Sequence, residues 1–180
     1  MQDRKQTLVI NLVGGPCSGK STIAAELFAR LKKMGIKTEL VTEWIKERIY
    51  DNHDSIINDQ IFLFAQELHQ LKNKIGKVDV IIHDGSLLLN INYDKDNNYQ
   101  LYELVISEYN KFNNLDFFLL RNNIKFENYG RIHNIEESLN IDSNIKNIYH
   151  KYNINFIELD SKDSVDKIIK YILDNINEKI

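Results

Sequence analysis

The chain has 180 residues, a length that suits one domain with its own core, so a single domain over residues 1–180 is expected. A formal net charge of -3 and the lack of any Lys/Arg run argue against broad, non-specific nucleic-acid binding. Cys17 is the only cysteine, which excludes an intramolecular disulfide and a cysteine-cluster zinc site and fits a cytoplasmic setting. The stretch before Gly14 is too short to span a membrane and lacks a signal-peptide cleavage pattern, so no membrane partner is expected.

Residues 7–13, TLVINLV, read as a buried strand ended by glycine. Residues 20–34 follow as a helix. Its apolar stripe is Ile23, Leu27, Leu31 and Met34, and Gly35 is its stop. A second strand is predicted over 37–43, a helical turn or two over 44–50, and the strongest helix over 59–75. That helix is expected to bury Ile61, Ala65, Leu68, Leu71 and Ile75. Then come a strand at 78–84, a helix at 98–112, a strand at 115–120 and a polar, irregular stretch at 121–134. A helix at 135–152, a strand at 155–159 and a closing helix begun by Ser161 or Ser164 complete the chain. Five strands alternate with helices, and the strands are near-continuous apolar runs. That pattern predicts an α/β fold of three layers around a five-stranded parallel sheet.

The chain has seven glycines and one proline, yet three of the glycines, the proline and the cysteine lie within residues 14–19. Gly14, Gly15, Pro16, Cys17, Ser18, Gly19, Lys20 and Ser21 match G-x-x-x-x-G-K-[ST], the P-loop or Walker A pattern. A loop that wraps phosphates needs glycine so that backbone amides turn inward and phosphate oxygens approach closely. The helix beginning near Lys20 adds the positive end of its dipole. Lys20 is expected on the β- and γ-phosphates of ATP, Ser21 on Mg²⁺, and Thr22 beside the nucleotide. Cys17 reads as a small residue tolerated in the loop.

Two carboxylates end predicted strands. Asp84 suits a second Mg²⁺ ligand of the Walker B kind, with a turn cap as the alternative. Glu43 is placed to accept a proton from an attacking hydroxyl, with an exposed strand-end acid as the alternative; Asp84 is the next candidate for general base. Trp44 either packs in the core or lines the acceptor pocket. His83 reads as structural. On the long helix Gln66, His69 and Asn73 share a side. Gln66 can read a base or carboxamide edge and Phe62 can stack on a ring, against a solvated face as the alternative. Arg121 and Arg131 bracket a lid at about 121–134 that closes on phosphates, with Gly130 as a hinge; the alternative is an ordinary surface loop.

With these residues in view the chain resembles the P-loop kinases that phosphorylate nucleosides, nucleotides and related small molecules. It is similar to the ribosylnicotinamide-kinase-like small AAA-labelled ATPases, including phage proteins, in GGPCSGKST, in TEW after the second strand, in the acidic strand end and in the arginine after a glycine. It also resembles the deoxynucleoside kinases in Glu43, in FLFAQ ending at Gln66 and in the arginines after FFLLR. That resemblance implies a general base at Glu43, a base reader at Gln66 and phosphate contacts from the arginines. It departs where those kinases carry Glu-Arg-Ser and this chain has His83-Asp84-Gly85-Ser86.

The expected function is transfer of the ATP γ-phosphate to a hydroxyl or phosphate of a nucleoside, nucleotide or nucleoside-like small molecule. The alternatives are a kinase of a modified base in phage DNA, disfavoured by the missing basic patch, and a non-kinase ATP- or GTP-binding switch or ATPase. The oligomeric state is open, a homodimer included.

Overall fold

The computed structural model describes residues 7–42, 59–121 and 135–177. Five strands form one sheet: β1 (Leu8–Val13), β2 (Thr38–Val41), β3 (Val80–His83), β4 (Asn113–Leu120) and β5 (Ile157–Asp160). Their order is β2-β3-β1-β4-β5 and every pairing is parallel. The described helices are α1 (Lys20–Lys33), α2 (Gln60–Lys72), α3 (Leu89–Tyr93), α4 (Tyr99–Tyr109), α5 (Ile135–Lys151) and α6 (Ser164–Asn177), with a 3-10 turn at Ser161–Asp163.

The sheet has a core on each face, which makes three layers. Leu8, Ile10 and Leu12 of β1 pack with Ile23, Leu27 and Leu31 of α1 and with Ile168, Ile169 and Ile172 of α6. Val9 and Val13 pack on the other face with Phe64 and Leu71 of α2, Val105 of α4, and Ile141, Ile145 and Tyr149 of α5. Alternate residues of one strand thus enter two different cores, which is why LVINLV is apolar on both parities.

Three differences from the sequence expectation have physical causes. Met34 is exposed because it caps α1 rather than continuing its buried stripe of Ile23, Ala24, Leu27 and Leu31. The short helix α3 was not predicted; the sequence reading left residues 85–97, between the third strand and the next helix, without an element. The third is the rotation of α2. Its buried residues are Gln60, Leu63, Phe64 and Leu71, while Ile61 and Ala65 are exposed. The helix carries apolar residues on more than one face, so its pattern admits two phases, and packing selects the one that buries the larger Phe64. Asp59 is the N-cap, its carboxylate accepting from the Phe62 amide at 3.0 Å. The predicted helical turn at 44–50 lies outside the described residues.

Candidate functional site

Strand order decides what meets at the carboxyl edge of the sheet. β1 lies between β3 and β4, with Asn11 in register with His83 on one side and with Asp116 on the other. The loop after β1, Asp84 after β3 and Arg121 after β4 therefore leave adjacent strands at one edge. In open parallel sheets this is the edge that binds ligands.

The loop at 14–21 follows from its residues. Gly14 has φ of +146°, and a Cβ there would lie 2.8 Å from Ser18 Oγ and 3.3 Å from the Leu119 carbonyl, so both conformation and space demand glycine. Cys17 is buried and takes the left-handed conformation at φ 63°. Gly19 caps α1 in the left-handed region. No side chain caps that helix, and its first turn holds no acidic residue. The positive helix end is thus not neutralised from within the first turn, the arrangement that receives an anion. The Lys20 ammonium donates to the carbonyls of Gly14 at 2.7 Å and Gly15 at 3.2 Å, and so lies along the loop. Ser21 and Thr22 are exposed at the start of α1.

Asp84 closes β3 and its amide donates to the Val41 carbonyl at 2.9 Å. The residue is buried, yet its Oδ1 has no hydrogen-bond partner among the described residues. A buried carboxylate oxygen without a donor is costly unless a cation or donor completes it. The chemistry of the Asp84 carboxylate therefore fits a divalent cation. Among the described residues no cluster of three or more His, Cys, Asp or Glu could hold a metal by itself.

His83 is buried between two partners. Its Nδ1 lies 3.0 Å from Asn11 Oδ1 and its Nε2 lies 2.5 Å from Glu67 Oε1. Asn90 Nδ2 donates to the other Glu67 oxygen at 2.6 Å. Asn11 Nδ2 donates to Asn114 and Asp116. Asp116 also accepts from the hydroxyls of Tyr109 and Tyr149, each at 2.6 Å. A polar row thus crosses β3, β1 and β4 under the site. Burial pushes the Asp116 carboxyl up to about 6, against the lowering effect of the hydrogen bonds from Tyr109, Tyr149 and Asn11. Burial, with the neighbouring Asp116 charge, raises both tyrosine hydroxyls.

Glu67 is a residue the sequence reading missed. Gln66 was chosen as the polar reader of α2, but Glu67 follows the buried positions Leu63 and Phe64 and turns toward the end of β3. Reading the helix in its Leu63–Phe64–Leu71 phase would have exposed it. Gln66 and Phe62 line an open hollow of about 330 Å³ together with Ala65 and His69. None of those lining residues belongs to the phosphate loop or to β3.

Arg121, expected as the first arginine of a lid over phosphates, stands beside the loop, with Nε donating to the Pro16 carbonyl at 2.9 Å and Nη2 to the Ser138 carbonyl at 3.2 Å. It is ion-paired with Asp142 through both Nη atoms. The cause is register: β4 runs beside β1, so the first residue past β4 emerges next to the loop that follows β1. Glu43, Trp44, Gly130 and Arg131 lie outside the described residues.

Among the described residues no helix is long and apolar enough to cross a membrane. The sequence has no significant match among curated proteins. Solved structures of similar fold include deoxyadenosine kinase from M. mycoides with products dCMP and a flexible dCDP bound. It is 22% identical over 94% of this chain and 99% of that one, with a TM-score of 0.54. The same enzyme with bound dATP is 22% identical over the same shares, with a TM-score of 0.52. The YorR protein from Bacillus subtilis, in complex with phosphorylated GDP, is 19% identical over 96% of this chain and 97% of that one, with a TM-score of 0.58. These likenesses establish a P-loop kinase-like fold. A family model described as an AAA domain matches residues 9–167, nearly the whole chain, and the chain therefore belongs to that AAA-domain family.

Proposed function

We propose that the chain is an ATP- and Mg²⁺-dependent phosphotransferase that moves the γ-phosphate to a hydroxyl or phosphate of a nucleoside, nucleotide or nucleoside-like small molecule. One observation carries the reading. The loop ends in a helix with no side-chain cap, and the adjacent strand ends in a buried carboxylate with an unpartnered oxygen. The first suits phosphate and the second a cation. Structural neighbours were solved with dATP and with phosphorylated GDP bound, which supports a nucleotide as the ligand.

In this reading the amides of the loop and of the start of α1 bind and orient the phosphates. Lys20 turns from the loop carbonyls to the β- and γ-phosphates and meets the charge that grows on the transferring group. Ser21 and Asp84 would hold Mg²⁺, which would supply positive charge against the phosphates. Glu43 takes the proton of the acceptor hydroxyl, Trp44 lines the acceptor pocket, and Phe62 with Gln66 reads the acceptor's ring and polar edge.

The test is phosphate transfer from γ-labelled ATP to a panel of nucleosides, nucleotides, ribosylnicotinamide and DNA. The proposal expects label on at least one small nucleoside-like acceptor. Label on DNA alone would replace it with a DNA-modifying kinase. Tight nucleotide binding with turnover unchanged by every acceptor would replace it with a switch.

A further inference from the structure

We infer that Arg121 and Asp142 form a clasp that holds the outer wall of the phosphate loop in its nucleotide-binding shape, and that Gly15 is glycine because the clasp leaves no space for a side chain. The inference rests on the phosphate-loop reading and adds two positioning residues to it.

Two backbone groups at the first turn of the loop, the Gly15 amide and the Pro16 carbonyl, are held by side chains from outside the loop sequence. The Asp142 carboxylate accepts from the Gly15 amide at 2.6 Å, and the Arg121 Nε donates to the Pro16 carbonyl at 2.9 Å. The two side chains are then locked to each other through both carboxylate oxygens. Arg121 is tied further to α5 through the Ser138 carbonyl. The pair is largely buried, with side-chain exposures of 11% and 17%. From inside the loop, Lys20 donates to the carbonyls of Gly14 and Gly15. The first turn of the loop is thus gripped from both sides.

Gly15 provides an independent argument. The P-loop pattern accepts any residue at that position. Its backbone does not require glycine, for it is absent from the positive-φ residues. Space alone forbids a side chain. A Cβ would lie 2.7 Å from Arg121 Nη2, 2.8 Å from the Ser138 carbonyl oxygen and 3.0 Å from Asp142 Oδ1. Two of those contacts are the clasp itself and the third is the backbone of α5. Because Asp142 neutralises Arg121, the arginine acts here by position rather than by charge. Its planar fork makes contacts in several directions that a lysine cannot.

The experiment measures affinity for a fluorescent ATP analogue alongside Tm. Asp142→Ala and Arg121→Met should each weaken binding about tenfold, the scale of a lost charge-assisted hydrogen bond. Asp142→Asn, which keeps an acceptor for the Gly15 amide, should recover part of the loss, and Arg121→Lys should not behave as wild type. Glu158→Ala breaks a pair with Lys146 on the same helix α5 and should leave affinity unchanged. Gly15→Ala should weaken binding in the wild-type background and cost less when Arg121→Met is already present. Amide hydrogen exchange over residues 17–20 of the nucleotide-free protein reads the clasp separately and should speed up about tenfold in Asp142→Ala. Lower Tm with affinity within twofold of wild type would overturn the inference, as would tighter binding on losing Asp142 or unchanged exchange. A wild-type chain that binds no nucleotide would refute the phosphate-loop reading instead, and the exchange measurement would still decide the clasp.

Discussion

The buried carboxyl of Asp116 makes stability depend on pH in a direction opposite to most acids. Its pKa is pushed up to about 6 in the folded chain, from an ordinary value of 3.8. The folded state therefore holds its proton more tightly than the unfolded state. The stability this group contributes is fully present below about pH 4 and is lost as pH rises through about 6. A shift of about two units is worth about 3 kcal/mol, of which roughly 2 to 3 kcal/mol falls between pH 4 and 7.5. Other groups pull the other way. Glu108, held low by Lys111 and Lys72, stabilises at higher pH. Comparing wild type with Asp116→Asn cancels those groups, since both chains carry them. Urea unfolding of the two chains at several pH values should show the advantage of wild type over the variant shrinking by about 2 to 3 kcal/mol from pH 4 to 7.5. The ¹³C carboxyl signal of Asp116 should titrate near 6. A difference between the chains that does not vary with pH, or a carboxyl signal with an ordinary midpoint, would refute the reasoning. It would mean that the two tyrosine hydroxyls and Asn11 compensate the burial fully.

Lys20→Ala should fold normally and lose about 10²-fold or more of phosphoryl transfer, measured by single-turnover kinetics; a folded variant with near-wild-type turnover would sink the assignment of the loop. Asp84→Asn should weaken Mg²⁺-dependent nucleotide use, seen as a changed Mg²⁺ titration of ATP analogue binding, whereas Glu43→Gln should lower the rate with affinity kept. Gln66→Leu should cost about 1–3 kcal/mol of acceptor discrimination in kcat/KM and spare ATP affinity; unchanged acceptor kinetics would return that face of α2 to solvent. Leu27→Ala, at a fully buried position of α1, should destabilise by about 2–5 kcal/mol in urea unfolding without altering the loop chemistry.

The alternation of strands and helices and the phosphate loop were legible in the sequence because both are local. Period two against period 3.6, and glycines at fixed offsets, follow from backbone geometry over a few residues. Gly35 beyond α1 was readable for the same reason. The phase of α2 was not, since Ile61 and Ala65 make as good a stripe on paper as Leu63, Phe64 and Leu71. Only packing against the sheet chose between them, and that choice turned Glu67 rather than Gln66 toward His83. The row of Asn11, His83 and Asp116 exists because β1 was inserted between β3 and β4, an order no local pattern states. Gly15 and Asp142 are 127 residues apart, and nothing in either neighbourhood announces the other. The sequence by itself determined the five strands, the longer described helices and the phosphate loop. The tertiary structure alone decided which charges face one another across that loop, because register and strand order, not local propensity, bring distant side chains within hydrogen-bonding reach.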